Sequence, residues 1–151
     1  MPTKATDIPL SERAAHLRTA IVRTARRLRQ EAATETSGLT PTSVAALATI
    51  ERHGPLTPSE IAAIERVKRP TITRTLRCLE REGLIDRASD PEDGRSSLVS
   101  VNGAGRERLR RLRGRKNAYL ARRMKDLTDE EVETLERAAE ILERMREGER
   151  S

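Results

Sequence analysis

The sequence predicts a mainly α-helical fold with one small β-hairpin, on three observations. Apolar residues recur at alternating three- and four-residue steps near both ends of the chain, which is typical of amphipathic helices. Two short helices with clear start signals follow one another in the middle. Two apolar runs then flank a turn-rich hexapeptide, as the strands of a hairpin do. Helix, tight turn, helix and hairpin, in this order over residues 57–101, describe a winged helix-turn-helix flanked by N- and C-terminal helices.

Composition favours an oligomer and an anionic partner. Charged residues make up 36% of the 151 residues and apolar ones 35%, so a lone subunit would be marginal and is expected to bury its terminal helices in an oligomer. The formal charge of +6 favours an anionic partner. Tyr119 is the only aromatic residue among Phe, Trp and Tyr. Because single-stranded nucleic acid is usually bound by stacking on aromatic side chains, duplex DNA is the better match.

The first two helices are predicted from an apolar stripe and a cap. Ser11 is placed to cap the first helix, and residues 34–38 interrupt its pattern. Thr40-Pro41 then supplies a cap and a first-turn proline for a second helix, which Gly54-Pro55 ends. The stripe of the first helix consists of Leu10, Ala14, Leu17, Ile21, Ala25, Leu28 and Ala32.

The third and fourth helices follow directly. Residues 57–60 form a capping box with proline at the first helical position, so a short helix starts there. Residues 67–69 form the turn, Pro70 starts the fourth helix, and Gly83 stops it. At about 100° per residue, this helix has an apolar face and an opposite basic face. The apolar face holds Ile72, Leu76 and Leu79, and the basic face holds Pro70, Arg74, Arg77 and Arg81.

The hairpin and the last two helices complete the chain. Strands are expected at residues 84–88 and 98–101, Asn102 can cap a fifth helix, and Thr128 with Glu131 forms a capping box for the last one. Residues 39–101 hold nine basic and nine acidic residues, whereas residues 102–126 hold ten basic and two acidic ones. The basic groups of the winged region therefore matter by placement rather than by number.

The exposed face of the fourth helix is the first candidate site. Such a face on an isolated helix is usually only solvated. Here a capped helix before it, supported by Thr57 and Ser59, and a hairpin after it match one mode of docking into the DNA major groove. Arginine can pair with guanine, and threonine can contact a base edge, for about 1–3 kcal/mol of discrimination per good pair. The candidate DNA-contacting residues are Lys68, Arg69, Pro70, Thr71, Thr73, Arg74 and Arg77, with Lys68 and Arg77 expected at phosphates.

The hairpin tip is the second candidate site, and its residues are Asp93, Gly94, Arg95 and Ser96. The acidic residues beside Arg95 would repel DNA if their charges were uncompensated. We therefore expect Asp90 or Asp93 to brace the Arg95 guanidinium, which then enters the minor groove, where narrow A·T tracts attract arginine. The alternative is an ordinary acidic turn.

The sequence resembles the signature of the MarR family of bacterial transcription regulators. The resemblance is carried by DPEDGR at residues 90–95, LIDR at 84–87 and VSVNGAG at 99–105. It implies a two-fold dimer held by residues 1–38 and 102–151, with residues 39–101 as the DNA-binding region and Arg95 as the wing-tip arginine. It also implies a repressor that is released from a pseudo-palindromic operator when a small, often phenolic, effector fixes an incompatible dimer spacing.

The remaining features have plainer interpretations. Cys78 is expected to be a packed thiol, with a redox sensor as the alternative. The basic run from Arg106 to Lys125 is expected to be a solvated face, partly neutralised by the acidic last helix. One cysteine and two distant histidines indicate no metal, cofactor or enzyme active site.

Location and class follow from the same residues. The segment from Met1 to Glu12 lacks an apolar signal core, and no stretch approaches the ~20 apolar residues of a membrane span, so a cytoplasmic protein is expected. Two other functions stay open at this point, a nucleoid-type protein that coats DNA without sequence choice and a helical protein–protein adaptor.

Overall fold

A computed structural model describes residues 8–148, and this part of the chain contains six α-helices and one antiparallel hairpin. The mainly helical fold with a small hairpin is therefore confirmed. Within this part, residues 8–116 form one compact unit and residues 117–148 form another. The elements in chain order are α1 (Leu10–Glu31), α2 (Pro41–His53), α3 (Pro58–Glu65), α4 (Arg69–Arg81), β1 (Ile85–Ser89), β2 (Ser97–Val101), α5 (Gly103–Met124) and α6 (Asp129–Glu147).

Three helix starts follow the capping chemistry predicted for them. The Thr40 hydroxyl accepts from the Ser43 backbone N–H at 3.1 Å at the start of α2. Thr57 and Glu60 form a capping box at the start of α3. Thr128 and Glu131 form another at the start of α6. Each threonine oxygen satisfies one of the backbone N–H groups that the first turn of a helix leaves without a partner.

Three predicted boundaries were wrong by small amounts. Ser11 does not cap α1, which starts after Pro9 without a side-chain cap. Helix α4 starts at Arg69, one residue before Pro70, because the missing N–H of proline is tolerated anywhere in a first turn whose N–H groups have no helical partner. The hairpin strands reach one residue closer to the tip than expected, with β1 at 85–89 instead of 84–88 and β2 at 97–101 instead of 98–101. The prediction that residues 1–12 lack a signal core concerns a segment that is only partly described, because residues 1–7 lie outside the described part of the chain.

The core of the first unit lies between α2, α3, α4, the hairpin and the start of α5. Its buried residues include the predicted apolar face of α4 and Leu109 of α5. Leu56, just before α3, forms an isolated bridge with Val99, so a third short extended segment lies beside β2. The fully buried side chains of this core include Leu47, Ile50, Ile61, Ile72, Leu76, Leu79 and Val99.

The start of α5 is fitted tightly under the hairpin. The Asn102 side chain accepts from the Gly105 N–H at 2.9 Å and donates to the Gly83 carbonyl at 2.9 Å. Gly83 takes a φ of +69°, a conformation that favours glycine. A Cβ atom at Gly105 would lie 2.2 Å from the Leu84 carbonyl oxygen, so only glycine allows this approach. The VSVNGAG motif thus joins the hairpin to α5.

Candidate nucleic-acid interface

A tight turn sets α4 against α3. Arg66 ends α3 with a φ of +52°, and the Val67 N–H donates to the Ala62 carbonyl at 3.0 Å. Lys68 follows as the N-cap of α4. Thr57 supports the arrangement through the capping box of α3, whereas Ser59 is exposed and no side-chain hydrogen bond is recorded for it within residues 8–148. The predicted helix, turn and helix are therefore present, with Thr57 rather than Ser59 as the supporting side chain.

Helix α4 is divided into a buried and an exposed face. Ile72, Leu76 and Leu79 are buried as predicted, and Thr75, which the periodicity left unassigned, joins them at 6% exposure. All seven predicted DNA-contacting residues from Lys68 to Arg77 lie on the exposed side. The geometry therefore gathers them on one accessible surface, as a recognition helix requires.

The two threonines of this face differ in what they can offer. The Thr73 hydroxyl donates to the Arg69 carbonyl at 3.1 Å, within α4 itself. Because Thr73 is exposed and a hydroxyl oxygen that donates can still accept, Thr73 is suited to accept a hydrogen bond or to contact a thymine methyl. Within the described part of the chain, Thr71 is exposed and has no recorded side-chain bond.

The amino end of α4 is open to an anion. Lys68 makes no side-chain cap, and the first turn contains no acidic residue. The amino ends of α3 and α6 are instead closed by capping boxes with glutamate in the first turn. Because unsatisfied N–H groups and the positive end of the helix dipole meet there, the start of α4 is suited to a phosphate.

The acidic residues of the hairpin tip shape its backbone. The Asp90 carboxylate accepts from the Glu92 N–H at 2.9 Å, and the Asp93 carboxylate accepts from the Arg95 N–H at 3.0 Å. The expectation that Asp90 or Asp93 braces the Arg95 guanidinium was therefore wrong, because a short Asp side chain in a turn reaches the N–H two residues ahead more readily. Gly94 and Arg95 are exposed, and within residues 8–148 no partner is recorded for that guanidinium. Ser96 closes the turn by donating its N–H to the Asp93 carbonyl.

Sequence reasoning missed Arg87, which joins the hairpin to α4. Its guanidinium pairs with the Glu80 carboxylate through two nitrogens, and a third donates to the Ser97 hydroxyl at 3.3 Å. The available signal was the pair of opposite charges seven residues apart on either side of the helix-stopping Gly83. Arg87 thus contacts α4 and β2 from its place on β1.

The first half of the basic run of α5 is paired within the first unit, with acidic residues that lie outside the last helix. Glu35 binds Arg111 at 2.9 Å and Arg115 at 3.1 Å, and hydrogen bonding to Arg111 first of all lowers the pKa of Glu35. Arg113 pairs with Glu51 at 2.7 Å. The recorded acidic partners of residues 106–115 are Glu35, Glu51 and Glu107, because the loop after α1 and helix α2 lie against this part of α5.

Cys78 lies half-buried on α4. Its thiol donates to the Gly38 carbonyl at 3.2 Å, in the loop that precedes α2. This contact agrees with the expected packed thiol. Within residues 8–148 no group of three or more Cys, His, Asp or Glu residues is arranged to hold a metal ion, and no helix is long and apolar enough to cross a membrane.

A cavity of about 410 Å³ opens in the first unit beside α1 and α2. Its wall is mainly apolar, with two cations, Arg29 and Lys116, for which no partner is recorded within the described residues. The lining contains no aromatic residue. It consists of Ala25, Leu28, Arg29, Thr36, Leu39, Pro41, Val44, Ala45, Ala48 and Lys116.

Comparison with known proteins agrees with this geometry. Residues 39–97 match the model of the MarR family. The HTH-type transcriptional regulator MT0903.1 of Mycobacterium tuberculosis is 35% identical over 85% of this chain and 89% of its own length. A crystal structure of MarR is 28% identical, with a TM-score of 0.72 over 89% of this chain and 98% of that one. A mutant of S. aureus MepR bound to an oligodeoxyribonucleotide, 21% identical over 87% of this chain and 96% of its own, shares the fold with a TM-score of 0.66.

Proposed function

This chain belongs to the MarR family and is a DNA-binding transcriptional regulator, and from that premise we propose that the exposed face of α4 and the hairpin tip read its operator. Thr71, Thr73 and Arg74 contact bases in the major groove, and Lys68 and Arg77 contact phosphates. Arg95 enters the adjacent minor groove. The coating and adaptor alternatives are not favoured by this membership.

One observation carries the assignment. All five cations among the predicted DNA-contacting residues have no recorded side-chain partner within residues 8–148, although the winged region has no net charge. A cation without an internal partner can pair with a phosphate or a base without first breaking a protein contact, so its attraction to DNA is not opposed by that cost. The five are Lys68, Arg69, Arg74, Arg77 and Arg95.

We further propose that the protein is a homodimer joined through α1 and α6. Neither helix has a buried residue, although both carry large apolar side chains. Leu10 is 82% exposed on α1 and Met145 is 61% exposed on α6. Apolar side chains repeated along helices are normally covered by a partner. A two-fold dimer presents two α4 helices to half-sites about one helical turn apart, ~10 bp centre to centre.

We also propose that the protein is a repressor whose effector occupies the cavity beside α1 and α2. An organic anion with an apolar body matches a mainly apolar wall that carries Arg29 and Lys116. It releases DNA only if it binds one dimer spacing more tightly than the other. Octanoate is a suitable probe, with 1-octanol as the neutral control. Release of DNA by octanoate alone, lost in Arg29→Gln/Lys116→Gln, supports the proposal, and an equal response to 1-octanol contradicts it.

The decisive experiment for DNA reading is selection of bound duplexes from a random pool. The proposal predicts an inverted repeat with half-sites ~10 bp apart and binding that weakens steeply as salt rises. Recovery of unrelated sequences with equal affinity would indicate a coating protein. Absence of any salt-sensitive retention would contradict a role in DNA binding.

A further inference from the structure

The outer half of the hairpin is held by few contacts. Ile85 is buried at the inner end of β1, whereas the rest of that strand is exposed. On β2, Val99 and Val101 are buried, again toward the inner end. A two-stranded ribbon is only marginally stable without packing on a face. The direction of its tip relative to α4 therefore depends on the side chains that tie it to the helix.

Arg87 is such a side chain. Its Nε and Nη2 atoms face the two carboxylate oxygens of Glu80, and its Nη1 atom lies 3.3 Å from the Ser97 hydroxyl. Glu80 lies on the last turn of α4, and Ser97 lies opposite Ser89 at the outer end of the hairpin. A guanidinium that uses two nitrogens on one carboxylate fixes an angle as well as a distance.

We propose that Arg87, held by Glu80, is a positioning residue that sets the wing at the angle at which Arg95 and α4 engage DNA together. This inference rests on the proposed roles of Arg95 and Arg74. Two contacts on one rigid body bind jointly with a high effective concentration, and this advantage falls when the connection loosens. The ion pair supplies the rigidity that packing does not.

The direction in which one substitution changes DNA affinity distinguishes a positioning role from a purely electrostatic one. Glu80→Ala removes a negative charge, which on electrostatic grounds alone would tighten DNA binding. A positioning role predicts the opposite, a loss of about fivefold or more, because the wing is no longer held. Glu92→Ala is the matched control. Its exposed carboxylate has no recorded side-chain contact within residues 8–148, so its removal leaves binding unchanged or tighter.

The experiment measures affinity for the selected duplex in the full-length protein. Arg87→Lys keeps the charge but loses the two-nitrogen geometry, and we expect it to weaken binding like Glu80→Ala. Glu80→Ala/Arg87→Ala should be no weaker than Arg87→Ala alone, because both remove one interaction. Arg95→Ala should cost less in the Glu80→Ala background than in the wild type, a coupling that a merely structural role would not produce.

Tighter binding by Glu80→Ala, matching Glu92→Ala, would overturn the proposal, as would additive losses in the double variants. Thermal unfolding accompanies each measurement, and Glu80→Gln, which keeps the size of the side chain, replaces Glu80→Ala if the alanine variant is unstable. Failure of the proposed function looks different. In that case the wild type retains no duplex, or Arg74→Ala and Arg95→Ala bind as the wild type does.

Discussion

Residues 39–101 carry nine basic and nine acidic side chains, whereas residues 102–126 carry ten basic and two acidic ones. The neutral region nevertheless holds the proposed DNA-reading surface. In the first half of the strongly basic run, the arginines instead form ion pairs within the protein. Arg111 and Arg115 bind Glu35, and Arg113 binds Glu51. The difference shows that charge number does not identify a DNA interface. On the proposed surface, what matters is that exposed cations beside a recognition helix and a wing have no recorded partner within residues 8–148.

The largest effect should appear where the two regions join. Gly105→Ala forces a Cβ atom against the Leu84 carbonyl oxygen and the Val101 side chain, so we expect a loss of about 1–3 kcal/mol in the free energy of unfolding. Chemical denaturation measures this.

Gly114→Ala is the control on the same helix, because nothing lies within 4 Å of its added Cβ. It should stabilise the protein by about 0.5–1 kcal/mol, since alanine is the better helix former. Equal effects of the two substitutions would show that the join is not tightly packed.

Arg74→Ala should reduce discrimination at particular base pairs by about 1–3 kcal/mol, because a bidentate contact to a base is lost. Affinity for the selected operator falls while affinity for random duplex changes little. Competition binding against operators with single base-pair changes measures the effect. A uniform loss across all sequences would instead identify Arg74 as a phosphate contact.

Arg95→Ala should weaken binding to every operator by about tenfold, as expected when one charged contact of ~1.4 kcal/mol is lost, while leaving dimerisation intact. Arg113→Ala, which removes an arginine already paired with Glu51, should change DNA affinity by less than about twofold. Together, the two variants test whether DNA contacts the winged region, residues 39–101, rather than the basic run of residues 102–126. If Arg113→Ala weakened binding as much as Arg95→Ala, the paired run would have to be part of the interface.

The smallest expected effect is the pH dependence of the stability that the Glu35 ion pairs contribute. Hydrogen bonding to Arg111 lowers the pKa of Glu35 below its ordinary value of 4.5, so its ion pairs add stability above about pH 4.5 that is lost as the pH falls through the lowered value. Glu35→Gln should therefore lower Tm at pH 7, with a difference from the wild type that shrinks in acid. Glu92→Gln, which removes an exposed carboxylate of the tip, should leave Tm unchanged at both pH values. A constant Tm difference for Glu35→Gln across this range would contradict the ion-pair role.

Much of the fold and the placement of the candidate site could be predicted from short-range patterns. The caps at Thr40, Thr57 and Thr128 act within three residues, so the sequence alone identifies them. The exposed face of α4 follows from helical periodicity. The predicted brace of Arg95 failed because opposite charge suggested a guanidinium partner, while the geometry of the turn favoured a backbone N–H.

By itself, then, the sequence determined where most helices begin, which face of α4 is apolar, and which residues form the hairpin tip. Each of these depends on residues a few positions apart. Only the tertiary structure decided which cations are paired within the protein and which stay available. Several of the paired cations have partners that are distant along the chain. Glu35 and Arg111 are separated by 76 positions, and Cys78 and Gly38 by 40. Such pairs form only when the core of α2, α3, α4 and the hairpin places α5 and the loop after α1 side by side, and no local pattern records that placement.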